Sequence, residues 1–178
     1  MLLPLLLGLL LTSQARAACS DPAAKASLDE DRLLGTWYTV KQPNHHFLGS
    51  EVAKCPHSVY SRAEDGHLKG LIAMYNTSSS AYTSIKIHFH KAVAGSTDGK
   101  YEVHTEGAHG RNNKLYIVDT DYDNYAVLWM CSQETDELYF LNTRQQHPSA
   151  EVLEQANRAL PAGDYRISDQ TDCPAHEH

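Results

Sequence analysis

Hydrophobic and polar residues alternate along most of the chain in short runs rich in Tyr, Val, Ile and Thr. In the clearest run, Ile85, Ile87 and Phe89 fall on one face of an extended strand, with polar residues between them. Asp-Gly pairs and similar turn formers separate successive runs. The pattern predicts strands over Thr36–Gln42, Val52–Arg62, His67–Asn76, Ala81–Ala92, Lys100–Gly107, Lys114–Thr120, Asn124–Cys131 and Glu137–Thr143. Strands at this spacing favour an all-β barrel or sandwich joined by hairpins.

A helical pattern follows the last of these strands. Ser149 has the chemistry of an N-cap, and an apolar stripe runs from Val152 to Leu160, just before a proline. A single amphipathic helix after eight strands must pack against the outside of the sheet. The capping-box spacing of Ser27–Glu30 predicts a short helix or turn before the first strand, and Asp164–Ser168 predicts a short late strand.

Length and charge narrow the class of protein. The chain has 178 residues, of which 42% are hydrophobic, and a formal net charge of −7. This length and apolar fraction suit one globular domain with a real core. The acidic balance argues against nucleic acid as a partner, because a binder of the phosphate backbone needs a basic surface.

The N-terminus has the pattern of a secretory signal peptide. The apolar run Leu2–Leu11 is too short for a helix that spans a membrane, and small residues at Ala15 and Ala17 suit a cleavage site. We therefore expect a signal peptide over residues 1–17, a single domain over residues 18–178, and a soluble protein secreted outside the cell. No second apolar stretch of membrane length follows.

Four cysteines stand far apart, at Cys19, Cys55, Cys131 and Cys173. In a secreted chain an even set predicts two disulfides. Their spacing alone leaves all three pairings open. The lack of a C-x-x-C pair argues against a zinc site or a thioredoxin-type site.

Three motifs occur in order along the strands. The run DRLLGTWY holds Gly35 and Trp37 at the entry to the first strand; TDY at Thr120–Tyr122 lies between the sixth and seventh, and Arg144 ends the eighth. Together they resemble the motifs of the lipocalin family, with Asp31 where Asn is usual. The segment TDYDNYA and the tail DQTDCP are similar to the apolipoprotein D branch, which includes insect bilin-binding proteins and crustacyanin subunits.

This resemblance implies an eight-stranded antiparallel up-and-down barrel with one C-terminal helix packed outside. It implies the disulfides Cys19–Cys131 and Cys55–Cys173. It also implies structural roles for the motif residues: Trp37 plugs the closed end of the barrel with Arg144 over its ring, Gly35 lets the backbone approach closely, and Thr120, Asp121 and Tyr122 form a tight turn.

The resemblance also implies a ligand site inside the barrel, since an eight-stranded barrel can enclose one small molecule. Offsets from the motifs and the cysteine give the candidate cavity residues, to which strand alternation adds two more. The set is Tyr60, Tyr116, Val118, Phe140 and Asn142.

The leading hypothesis is therefore extracellular binding and transport of a small hydrophobic ligand, such as a bilin, carotenoid, retinoid, fatty acid or steroid. No cofactor is required, although biliverdin or a carotenoid could be the bound chromophore, and a homo-oligomer is left open. The alternative is a salivary-type scavenger of haem or amines; Met74-Tyr75, where the haem-binding histidine is expected, counts against haem. A lipocalin enzyme is less favoured because every cysteine fits a disulfide.

Two further features are surface candidates. His88 and His90 share a strand face and could ligate a metal, but no third ligand is evident, so we expect a solvated face and no metal site. Asn76 begins an N-x-S sequon in a polar turn and is a candidate for glycosylation.

Overall fold

A computed structural model describes residues 19–44, 53–107, 112–131 and 137–176, so the expected signal peptide lies outside the described residues. Strands make up most of this part of the chain, with a short helix before the first strand and a longer one after the eighth. The elements are α1 (Glu30–Leu33), β1 (Gly35–Pro43), β2 (Ala53–Arg62), β3 (Leu68–Asn76), β4 (Ala81–Lys91), β5 (Lys100–Thr105), β6 (Asn112–Thr120), β7 (Tyr125–Cys131), β8 (Leu138–Thr143), α2 (Ala150–Ala159) and β9 (Tyr165–Ile167).

Strands β1 to β8 form a closed antiparallel barrel. Each strand from β2 to β7 pairs with the next, and β1 closes the ring by pairing with both β2 and β8. The last part of β1 pairs instead with β9. The predicted lipocalin barrel is confirmed, and its strands lie within a few residues of the predicted runs.

Helix α2 packs on the outside of this barrel, as predicted. Ser149 caps it by accepting a hydrogen bond from the backbone N–H of Val152. Its fully buried Ala156 joins an outer cluster with Val127 and Leu141. The short helix α1 is capped by Asp29 rather than by Ser27, because the Asp29 carboxylate accepts from the free N–H groups of the first turn.

Two disulfides tie the ends of the chain to the barrel. Cys19 is bonded to Cys131 at the end of β7, and Cys55 in β2 is bonded to Cys173 in the C-terminal segment. These are the two predicted pairings. No helix among the described residues has the length and apolar character needed to cross a membrane.

Candidate functional site

The strands alternate between the inner and outer faces of the barrel, and β7 shows this clearly. Ala126 and Leu128 belong to the hydrophobic cluster that fills the interior, whereas Val127 and Trp129 pack in separate outer clusters. Directly opposed residues on paired strands share a face. Phe140 lies opposite Leu128 and therefore faces inward.

Two of the five predicted cavity residues face outward instead. Tyr116 packs with Trp129 beside the N-terminal disulfide, and Val118 contacts the same outer cluster. The pairing register shifts between Ile117 and Asp119, so one extra residue in β6 reverses the alternation expected from the motif. The predicted inward orientation of Tyr116 and Val118 is therefore wrong.

Tyr60 faces inward but lies in the tightly packed closed half of the barrel. Its ring meets Phe89 edge-on, with 5.6 Å between the ring centroids, and Phe89 meets Tyr101 in the same way. The absence of a side chain at Gly70 makes room for Tyr60, since a Cβ there would lie 3.0 Å from the ring. Burial raises the pKa of Tyr60 to about 12. This layer is continuous core.

The closed end is sealed by Trp37, which is fully buried. Its indole N–H donates to the carbonyl oxygen of Leu33 at 2.7 Å, and the Arg144 guanidinium lies 3.8 Å from the ring centroid. Arg144 also donates to the carbonyl oxygens of Leu34 and Tyr122. The predicted contact between Arg144 and Trp37 is present, and it joins three separate segments of the chain.

The motif TDY forms a hydrogen-bonded turn between β6 and β7. The Thr120 hydroxyl donates to the carbonyl of Tyr125 at 2.6 Å and accepts from the N–H of Tyr122. The Asp121 carboxylate accepts from the backbone N–H groups of Asn124 and Tyr125. These bonds fix Tyr122 in a left-handed conformation, with φ of 69°.

An ionic cluster lies beneath the packed layer. Glu30 contacts the Arg62 guanidinium at 2.6 Å and the Lys91 ammonium at 3.1 Å, and it accepts a hydrogen bond from Tyr101. Burial disfavours the ionised carboxylate, but the bonds from Tyr101, Arg62 and Lys91 outweigh it and lower the pKa of Glu30. These charges complete the closed end and leave the other end for a ligand.

The packing of the interior ends part of the way along β4. Phe89 and Ile87 are 2% and 3% exposed, whereas Ile85 on the same face is 36% exposed, and Thr83 beyond it is exposed as well. The barrel is therefore filled near the closed end and open towards the other. We call the following inward residues the upper interior, of which the last lies deepest, two residues before Arg144: Ile72, Met74, Ile85, Met130, Phe140 and Asn142.

The sequence pattern identified only part of this upper interior. Phe140 and Asn142 were predicted from their offsets to Arg144, and both face inward. Ile72, Met74 and Met130 were missed. The alternation that placed Ile85 on the face of Phe89 could have been extended along the neighbouring strands to find them.

Asn142 is the polar member of the upper interior. It lies opposite Thr39 on β1 and Ala126 on β7, and only 3% of it is exposed. Its side-chain oxygen has no hydrogen-bond partner in the described part of the chain. Most buried polar groups in proteins are hydrogen-bonded, so this oxygen is an exception within the packed interior.

A histidine cluster lies on the outer surface, apart from the interior. It contains His67, His88, His90 and His104: His67 Nε2 lies 2.8 Å from His88 Nδ1, and the ring of His90 stacks on His67. The His104 ring meets His90 edge-on at 5.0 Å. No group of three or more possible ligands among the described residues is placed to hold a metal ion.

We expect this cluster to weaken the fold in mild acid. Burial, followed by the charges on His104, His67 and His88, lowers the pKa of His90, while Asp65 opposes this shift. As the pH falls, His90 is therefore protonated in the unfolded chain before it is protonated in the folded protein. The free energy of unfolding is highest above the ordinary histidine pKa of about 6.5 and decreases as the pH drops below it. His90→Gln should therefore reduce the loss in melting temperature between about pH 7.5 and 5.5.

Differential scanning fluorimetry across this pH range measures the effect. His147→Gln is the matched control, since this exposed histidine lies between β8 and α2, outside the cluster. We expect the control to follow the wild-type curve. Parallel curves for His90→Gln and the wild type would show that the cluster does not couple folding to protons.

Comparison with known proteins identifies relatives over most of the chain. A model of the lipocalin and cytosolic fatty-acid binding protein family matches residues 34–170. The Lazarillo protein of Schistocerca americana is 24% identical over 189 aligned positions, covering 97% of this chain and 85% of the relative. Retinol-binding protein 4 of Gallus gallus is 27% identical, covering 76% of this chain and 71% of the relative.

Solved structures share the same architecture. The cockroach allergen Per a 4 superimposes with a TM-score of 0.68 and 18% identity, covering 85% of this chain and 94% of the allergen. The tryptamine complex of the amine-binding protein of Rhodnius prolixus superimposes with a TM-score of 0.66 and 21% identity, covering 81% of this chain and 80% of that protein. Insecticyanin from Manduca sexta superimposes with a TM-score of 0.66 and 13% identity, covering 89% of each chain. At these identities the likeness concerns the fold.

Proposed function

The chain belongs to the lipocalin and cytosolic fatty-acid binding protein family. We propose that it is an extracellular protein that binds a small hydrophobic molecule in its upper interior and transports it. The change in exposure along β4 supports this site, since Phe89 is packed whereas Ile85 on the same face is open. Burial of apolar ligand surface there would contribute about 25 cal/mol per Å² before the costs of binding are subtracted.

Phe140 and Asn142 are the predicted residues that we retain as ligand contacts. Phe140 is partly buried and packs against the upper edge of the interior cluster, so its ring can contact an apolar ligand. Tyr60 would stay in the packed layer near the closed end, and Tyr116 and Val118 pack in the outer clusters. Ile85 and Met74 complete the proposed apolar wall.

Secretion and branch membership are part of the proposal. The signal peptide over residues 1–17 would be removed, and two disulfides suit an oxidising compartment. The Asn76 sequon lies at the end of β3, where its side-chain oxygen accepts from the N–H of Ser78, and we propose it as a glycosylation site. The TDYDNYA segment supports the apolipoprotein D branch, whose ligands include pigments such as biliverdin or a carotenoid.

Other activities have less support. A cationic amine would need an acidic partner, and the inward positions of the upper interior that the structure describes carry neither Asp nor Glu. Haem binding would need a histidine ligand, and position 74, where that histidine is expected, carries a methionine. A thiol-dependent enzyme would need a free cysteine, whereas all four are in disulfides. We therefore propose a carrier and not an enzyme.

We expect Phe140→Ala to weaken binding of an apolar ligand by about 1–3 kcal/mol, because the ring contacts are lost. Titrations of retinol, biliverdin and a fluorescent fatty acid, followed by tryptophan quenching, would measure the change. Tyr139→Ala is the matched control, since Tyr139 is adjacent on β8 and packs in the outer clusters.

The control variant should bind each ligand as the wild type does. Both variants need a thermal melt, so that a loss of affinity is not mistaken for unfolding. Equal affinity in Phe140→Ala and wild type for every ligand that binds would contradict a site in the upper interior.

A further inference from the structure

Two histidines of the outer cluster face each other through one ring nitrogen each. The sequence singled out His88 and His90, whereas the structure brings His67 to His88, with 2.8 Å between His67 Nε2 and His88 Nδ1. The other nitrogen of each ring faces a carboxylate: His67 Nδ1 contacts Asp65, and His88 Nε2 lies 3.0 Å from Glu106. Three separate segments of the chain therefore supply one continuous row of polar groups.

The two carboxylates determine which ring nitrogens carry hydrogen. An ionised carboxylate only accepts hydrogen bonds, and a neutral imidazole has one N–H group and one lone pair. The N–H groups therefore lie at His67 Nδ1 and His88 Nε2, and the lone pairs of His67 Nε2 and His88 Nδ1 point at each other. Two lone pairs at this distance repel, so a cation has to lie between them. A shared proton fills this place, and a metal ion that binds imidazole can replace it.

The carboxylates also match the surroundings of histidine ligands at metal sites. A histidine that binds a metal almost always donates its other ring N–H to a carboxylate, a carbonyl or water, which fixes the ring and raises the basicity of the ligating nitrogen. Here Asp65 does this for His67 and Glu106 does it for His88. Both ligands are thus oriented before a metal binds.

Metal ions and water can reach the pair from solvent. The side chains of His67 and His88 are 24% and 29% exposed. Together with Asp65 and Glu106 they line a groove of about 670 Å³ on the outer surface. Two lysines line the same groove, so the carboxylates do not create a strongly negative site. The imidazole nitrogens therefore decide which ion binds, and they disfavour Ca²⁺, which takes oxygen ligands.

We propose that His67 and His88 form a surface binding site for a divalent transition metal, with Cu²⁺ as the preferred ion. With metal–nitrogen bonds of about 2.0–2.1 Å, nitrogens 2.8 Å apart subtend an angle of about 86° at the metal. That angle suits the tetragonal geometry of Cu²⁺, whereas Zn²⁺ sites in proteins are mostly tetrahedral. Because the described residues offer no set of three ligands, water completes the coordination. The site is independent of ligand binding in the upper interior.

Isothermal titration of the wild-type protein with copper(II) sulfate tests the proposal. We expect one binding step that is stronger than the others, since the remaining histidines bind Cu²⁺ only weakly as single ligands. His67→Gln and His88→Gln should each remove this step, because each deletes one of the two nitrogen ligands. Glu106→Ala keeps both imidazoles but loses the group that orients His88, so it should weaken the step by about tenfold.

The matched control is His104→Gln. His104 belongs to the same cluster, and its ring contacts His90. This variant should bind Cu²⁺ as the wild type does. The electron paramagnetic resonance spectrum at one equivalent of Cu²⁺ identifies the ligands: wild type and His104→Gln should both show a tetragonal signal with coupling to two nitrogens, which His67→Gln should lack.

Thermal melts without metal show that each variant is folded before its affinity is compared. If His67→Gln and His88→Gln bind Cu²⁺ as tightly as wild type, the pair holds only a proton and the proposal is wrong. It is also wrong if His104→Gln loses the strong step. Binding of hydrophobic ligands should be the same in all these variants, so neither result bears on the site in the upper interior.

Discussion

Replacing Trp37 with alanine should lower the free energy of unfolding by about 3–5 kcal/mol. The indole is fully buried, so its removal leaves a cavity at the closed end of the barrel. Its N–H bond to the Leu33 carbonyl is lost as well, and Arg144 loses the ring on which its guanidinium lies. Because Arg144 joins three segments, we expect the whole closed end to loosen together.

Urea unfolding followed by circular dichroism would measure this loss, and the yield of folded protein should fall with it. Val93→Ala provides a control, since Val93 is 66% exposed in the turn between β4 and β5 and its truncation should be nearly neutral. A Trp37→Ala protein with wild-type stability would show that the plug does not support the fold. Phe140→Ala should give the opposite profile, with a large effect on affinity and a small one on stability.

The closed end could be predicted from the sequence because each motif residue meets a requirement of the local backbone. Gly35 adopts a φ of 94°, which residues with a side chain rarely adopt. Asp121 is the short acceptor that a tight turn needs for two backbone N–H groups. Such local requirements act within a few residues and so leave a readable pattern.

The orientation of β6 could not be predicted in the same way. Both faces of this strand are buried, because Leu115 and Ile117 fill the interior while Tyr116 packs on the outer side. The sequence of β6 therefore does not alternate between apolar and polar residues. The extra residue at Val118 reverses which of the preceding residues face inward, and nothing in the local sequence marks such a bulge.

Long-range contacts set the remaining limits of sequence-based prediction. His67 follows the turn after β2 and His104 lies in β5, so their meeting around His90 depends on the three-dimensional pairing of strands. Likewise, the sequence indicated that Asn142 faces inward but not that its oxygen is unpaired. That property depends on what Thr39 and Ala126 present across the barrel.

The second large effect is expected when Cys55 and Cys173 are both replaced by serine. This disulfide closes a loop with a sequence separation of 118, so its loss should reduce the free energy of unfolding by about 4–5 kcal/mol in the chain-entropy model. Removing Cys19–Cys131, whose separation is 112, should cost nearly the same amount if loop closure dominates.

Hydrogen bonds also hold the C-terminal segment to the barrel, independently of its disulfide. The C-terminal segment keeps a second anchor, because the Gln170 side-chain amide donates to the carbonyls of Thr39 and Pro56. We therefore expect the variant lacking Cys55–Cys173 to fold with the tail still docked, and urea unfolding of both variants measures the comparison. Non-reducing peptide mapping of wild type should give the same two bridges. A Cys19–Cys55 peptide, or a loss below about 1 kcal/mol in both variants, would contradict this role of the disulfides.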